Sequence, residues 1–224
     1  MLCSKSYSYE DLFLFLESGN IREKHFASLE IDEIKSKRDA EIFISNLINC
    51  DGKIREAAAY KYTEFMHNPK YQVYFSKYPA VLAQSTIDIN ANVSRMIIKG
   101  LYYLKDNGDF GIEYSKRLLV YIDEAFDGIN KITYKDKKYT VNKQIFKLYW
   151  CLEGLKYFYK YVPQNILYNI LSHVMELSEY TVREKAAFLI MQNKVSFRLL
   201  VERIIADKNY YVRKMYETYR ETGI

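Results

Sequence analysis

Val182-Arg183-Glu184-Lys185-Ala186-Ala187 is matched in pattern by Ile54-Arg55-Glu56-Ala57-Ala58 and by Val212-Arg213-Lys214. Two further β-branched residues belong to the same series, because Asp88 stands five residues before Val93 and Asp136 five before Val141, as Asp207 does before Val212 and Asn49 before Ile54. The anchors 54, 93, 141, 182 and 212 are separated by 39, 48, 41 and 30 residues, the spacing of repeated helical hairpins. Apolar residues recur three and four apart between them, as amphipathic helices require. In the third unit Val141, Ile145, Leu148, Leu152 and Leu155 share one helical face and read as core.

Each unit reads as a helix, a turn carrying Asp or Asn, and a second helix. The spacing predicts 39–49 with 52–67, 72–86 with 90–106, 110–128 with 140–161, 164–178 with 180–193, and 195–206 with 209–221. Residues 1–38, with helix over 7–34, form an N-terminal cap, and 39–222 hold the repeats. The long third interval contains Ile132–Val141, ITYKDKKYTV, the one stretch with strand-like character; it reads as an insertion over 129–139, as a small hairpin or an ordered loop. One all-α domain over 1–224 is expected.

These residues resemble the HEAT-repeat family, whose second helices begin with Asp, a short gap and Val-Arg followed by Ala and Leu. Arg55, Arg183 and Arg213 fill the Val-Arg pair, whereas Ser94 and Asn142 depart from it. The resemblance covers about 39–222 and implies an α-solenoid of about five hairpins. The repeated Asp and Arg are read structurally: the Asp caps the second helix or its turn, and the Arg bridges neighbouring repeats.

Composition agrees with a globular chain. Of 224 residues, 49% are hydrophobic and 27% charged, with 8 Gly and 3 Pro, which excludes collagen-like and disordered classes. The 23 Tyr and 12 Phe exceed what one core takes, so some rings should reach the surface. Net charge is +5 but uneven: residues 1–67 carry 9 basic and 12 acidic side chains, and the remainder 24 and 16. An anionic partner should therefore meet the later part. Cys3, Cys50 and Cys151 are widely spaced, as free thiols in a reducing cytosol would be. The opening residues lack a secretory pattern and no run suits a membrane helix, so the expectation is a cytoplasmic protein that does not engage membranes.

The candidate functional residues lie opposite the core stripe. At offsets two, six and nine from the anchoring Val, the second repeat has Arg95, Lys99 and Tyr102, and the third has Lys143, Lys147 and Trp150, with Phe146 and Tyr157 on the same face. In register they would form a strip of cations and rings suited to carboxylates, phosphates or stacked bases. Lys131, Lys135, Lys137 and Lys138 could extend it; residues 131–160 carry 8 basic side chains against 2 acidic. The alternative is that Trp150 and Tyr102 pack against a neighbouring helix and the insertion lysines are merely solvated.

Enzyme and metal signatures fail. His25, His67 and His173 are isolated, no HExxH, P-loop or GxSxG occurs, and Asp123 and Asp127 read as a solvated helix face. No cofactor, metal or catalytic residue is assigned. A weaker resemblance is to DNA alkylation repair glycosylases of HEAT-like fold, which implies a basic concave surface and a catalytic carboxylate. Tyr149, Glu153 and Arg183 are the positions it would fall on, but the single Trp and a Glu in place of Asp depart from that family. The leading expectation is a non-enzymatic module holding an acidic protein segment, with nucleic-acid binding as the alternative.

Overall fold

Small polar residues stand just ahead of the helices and start them. Ser8, Asn20 and Ser36 each accept a backbone N–H from the first turn, while Asp11, Glu23 and Asp39 reach back to the cap. They open α1 (Tyr9–Ser18), α2 (Ile21–Glu30) and α3 (Lys37–Ser45). Asp51 caps α4 (Gly52–Phe65), and Pro occupies the first position of α5 (Pro69–Phe75) and α6 (Pro79–Thr86), where its missing N–H costs no hydrogen bond. Asn90 caps α7 (Ala91–Leu101), which tightens into a 3₁₀ turn, Tyr102–Leu104. There follow α8 (Gly108–Asn130), α9 (Lys137–Gly154), α10 (Gln164–Val174), α11 (Tyr180–Gln192), α12 (Arg198–Ile205) and α13 (Tyr210–Thr222).

This computed structural model describes residues 6–130 and 137–222, side chains excepted at 130, 137–142 and 222. Among the described residues every regular element is helical, so the fold is all-α. Helices stand at the expected spans, the second unit gaining a break that splits its first helix into α5 and α6 at Pro79. The first half of the ITYKDKKYTV segment, residues 132–136 with Lys135, lies outside the described residues, as does Lys131 just before it. Its end, from Lys137, is not strand or loop but the first turn of α9.

The chain divides into two compact units, Met1–Arg117 and Leu118–Ile224, the boundary falling within α8. In unit 1, α2 packs on α4 and α4 on α7, so that successive second helices lie side by side. In unit 2, α9 packs on α11 and α11 on α13. This stacking is the packing of an α-solenoid.

Each unit has its own core. In unit 1, Phe43, Tyr62, Phe65 and Phe75 form a cluster of rings with centroids 5.3–6.2 Å apart. Gly100 permits the close approach of α7 to α4, since a Cβ there would overlap the Tyr62 ring. In unit 2, Leu148, Leu152 and Leu155 are buried as the stripe predicts, together with Val182, Ala186, Ala187 and Val212.

The repeated Arg and Asp join neighbouring hairpins. Arg55 of α4 donates Nε and Nη2 to Asp88 at 2.5 and 3.1 Å, and its Nη1 donates to the carbonyls of Asn49 and Cys50. In unit 2, Arg183 of α11 does the same with Asp207 at 2.8 and 3.0 Å, its Nη1 on Leu177 and Ser178. The expected bridging role is thus observed, with one refinement. Asp88 and Asp207 shape the turn through the N–H of Asn90 and Asn209, and those asparagines in turn accept from Asn92 and Tyr211 at the helix starts.

Candidate interaction surface

On α7 the buried side is Val93, Ile97, Ile98 and Leu101, which leaves Asn92, Arg95 and Lys99 exposed on the other. Asn92 accepts from Nη1 of Arg95 at 3.2 Å and donates its own amide to Glu56 of α4 at 2.8 Å; the second Glu56 oxygen takes the Asn90 amide. A polar chain from α4 therefore holds the guanidinium end of Arg95. One turn past Lys99, Tyr102 is 45% exposed, and the Lys105 ammonium sits 4.1 Å from its ring centroid. Tyr103 meets Tyr102 edge-on, and His67 lies against Tyr103. Unit 1 thus carries a surface of cations around an open ring.

On α9 the same sequence offsets behave differently. Lys143 is exposed, but Lys147 pairs closely with Glu124 of α8 and lies 5.2 Å from the Tyr121 ring. Trp150 is only 4% exposed, with Phe146 and Tyr149 edge-on to its indole at 5.8 and 5.0 Å. This corrects its expected place on an open face. In a stacked array a second helix has neighbours on several sides, so standing opposite the core stripe does not ensure contact with water. Phe146 and Tyr157 are half-buried, with Lys156 5.3 Å from the Tyr157 ring. Lys137 and Lys138 have no described side chains.

The positions singled out for glycosylase chemistry are drawn into structural contacts. Glu153 accepts from Lys185 at 2.8 Å, and Lys185 lies 5.0 Å from the Tyr149 ring. Burial works to lower the Lys185 pKa, but the Glu153 carboxylate outweighs it and raises it above its usual value. Glu153 and Lys185 border a hollow of about 120 Å³ that Lys156 and Phe188 also line. Arg183, 3% exposed, is committed to Asp207. The histidines do not converge: His67 faces the Glu64 carbonyl, His173 stacks on Phe126, and His25 lines an apolar hollow on α2. Among the described residues no group of His, Cys, Asp and Glu could hold a metal, and no helix is long and apolar enough to cross a membrane.

Two features escaped the sequence reading. Lys105 is too far from the anchoring Val to enter the offset comparison, although its position three residues after Tyr102 could have suggested the contact. Tyr180, Tyr210 and Tyr211, each 37–54% exposed, cluster at the starts of α11 and α13. Each belongs to a helix whose anchors were counted from the following Val, so their meeting depends on the stacking.

No family model and no curated protein matches the chain. Among solved structures it is similar to an engineered protein, at 12% identity over 93% of each chain with a TM-score of 0.48. It is also similar to an archaeal HEAT-like repeats protein from Thermococcus onnurineus NA1, at 12% identity over 94% of this chain and 78% of that one, with a TM-score of 0.49. The stacked helices and the Arg–Asp rungs within this chain define it as an all-α helical-repeat module, an α-solenoid.

Proposed function

We propose that the protein is a non-enzymatic interaction module and that the α7 face of unit 1 holds an acidic segment of a partner protein. The observation that carries this reading is the open Tyr102 ring with the Lys105 ammonium against it and Arg95 and Lys99 exposed on the preceding helix. An apolar side chain of the partner would rest on Tyr102 while its carboxylates meet the cations around it, and a pre-formed helical face keeps the ordering cost low. Among the described side chains of the expected strip in unit 2, Lys143 is exposed. The setting proposed is the reducing cytoplasm, where the free thiols of Cys50 and Cys151 would persist.

Fluorescence anisotropy with a labelled peptide of alternating Glu and Leu tests the reading. Arg95→Glu with Lys99→Glu is expected to weaken binding at least tenfold, and Tyr102→Ala severalfold, with the helical spectrum unchanged. A labelled single-stranded oligonucleotide provides the competing case, since phosphate binding weakens steeply with salt. Tighter binding of the oligonucleotide, lost between low and moderate salt and abolished by the same charge reversal, would replace the acidic-protein reading with nucleic-acid binding.

A further inference from the structure

The arginine that follows the anchoring Val or Ile, the fourth residue of a second helix, does two things in this chain. Its Nη1 holds a carbonyl of its own preceding turn, and its Nε and Nη2 form a fork around the aspartate of the next hairpin. Arg55 with Asp88 and Arg183 with Asp207 both show it, and in each case one carboxylate oxygen also accepts the backbone N–H two residues on. Arg213 stands at the same place on α13. Its Nη1 donates to the Asp207 carbonyl at 2.6 Å, the counterpart of Arg55 on Asn49 and of Arg183 on Leu177. Its Nε and Nη2 meet no carboxylate among the described residues.

The Arg213 side chain is half-buried and anchored, so the fork is already aimed. Tyr210, three residues earlier and therefore on the same side of α13, is 53% exposed, and Tyr211 is 54% exposed. Tyr211 stacks on Tyr180 at 6.1 Å, and Lys214 lies 5.9 Å from the Tyr210 ring. A planar guanidinium with two parallel donors matches a carboxylate, and the exposed Tyr210 ring on the same side of the helix offers apolar area.

We infer that this edge of unit 2 docks a partner protein that presents an aspartate just ahead of a helix. The carboxylate sits on Nε and Nη2 of Arg213, and apolar side chains from the first turn of the partner helix cover Tyr210. The turn that fills this fork inside the chain is Asp-x-Asn, and its geometry requires the carboxylate to bond the N–H two residues on, which favours Asp over the longer Glu. The two Asp-x-Asn turns of this chain, Asp88–Asn90 and Asp207–Asn209, are already gripped by Arg55 and Arg183, so neither is open for a second copy to present. The site shares no residue with the α7 face and stands or falls separately from it.

The test uses the full chain labelled with nitrogen-15 and an acetylated helical peptide that begins Ala-Asp-Lys-Asn-Tyr-Tyr-Val. The Arg213 Nε–H resonance is expected to move on titration. Replacing the peptide Asp by Asn, or Arg213 by Gln, is expected to weaken binding at least tenfold. Arg213→Lys retains the charge without the fork and is expected to lose nearly as much, whereas Lys99→Glu should leave this binding unchanged. An unmoved Arg213 signal, or equal binding of the Asn peptide, would overturn the inference. So would sedimentation showing that the chain dimerises without peptide and that Arg213→Gln abolishes the dimer, because the occupant would then be a second copy.

Discussion

Helices α7 and α9 carry cations and a ring at the same three offsets from their anchoring positions, yet α7 turns Tyr102 to the surface and α9 buries Trp150. On α7 the ring lies past the end of the α-helix, in a 3₁₀ turn, where the backbone tightens and the side chain leaves the packed row. On α9 the helix continues through Trp150 to Gly154, so the indole stays within the regular packing. Equal spacing therefore gave unequal exposure because one helix stopped and the other did not. The two rungs give the opposite lesson: Arg55–Asp88 and Arg183–Asp207 repeat the same bonds in separate units, because each is set by a short turn and an arginine at the same position of its helix.

Trp150→Ala is the sharpest way to break the comparison. Emptying a fully packed indole site should cost about 3–5 kcal/mol, read as a lower urea midpoint, whereas Tyr102→Ala should change stability by no more than about 0.5 kcal/mol. Similar losses from the two would mean that the faces do not differ. Asp207→Ala comes next, since it leaves the Arg183 guanidinium buried without its carboxylate; about 3 kcal/mol is expected. Arg55→Ala tests whether the unit 1 rung, whose arginine is somewhat more open, is weaker.

The same rung predicts a pH dependence. Burial of Asp207 works to raise its pKa, but the Arg183 guanidinium and the Asn209 N–H outweigh it and hold the carboxyl below its usual 3.8. A carboxyl with a lowered folded pKa stabilises the protein above the unfolded value and loses that contribution as pH falls through the folded one. The stability gap between the wild type and Asp207→Asn should thus be full at neutral pH and shrink below about pH 4 in urea titrations. A gap that stayed constant to pH 2 would show that the carboxylate charge is not what the rung uses.

The smallest expected effect concerns the interface between α4 and α7. The Tyr62 hydroxyl is buried and meets no hydrogen-bond partner, and that burial raises its pKa well above 10. Tyr62→Phe should therefore be neutral or stabilise by about 1 kcal/mol in thermal unfolding, despite altering the largest ring at the Gly100 contact. A clear loss of stability would reveal a partner for the hydroxyl.

Much of the fold was legible in the anchors. Val93, Val182 and Val212 are each fully buried, and the helix starts capped by Asp51 and Asn90 fall within a residue or two of their expected places. The site was less so. Arg95, Lys99 and Tyr102 are exposed as the offsets suggested, but Lys147 is held by Glu124, and nothing in a one-dimensional pattern announces that α8 will place a carboxylate there. Arg213 was grouped with Arg55 and Arg183 by sequence, and only the missing fork partner sets it apart.

What the order of residues determined alone is local: where helices begin, which stripe of each is apolar, and that an Asp or Asn turn recurs ahead of a Val or Ile, since these depend on backbone capping and on the angle between side chains along one helix. Tertiary structure decided which of the remaining faces meet water. That choice depends on what the neighbouring helices lay against them, as α4 supports Arg95 through Glu56 and Asn92 and as Glu124 of α8 draws in Lys147, and such meetings arise between residues far apart in the chain.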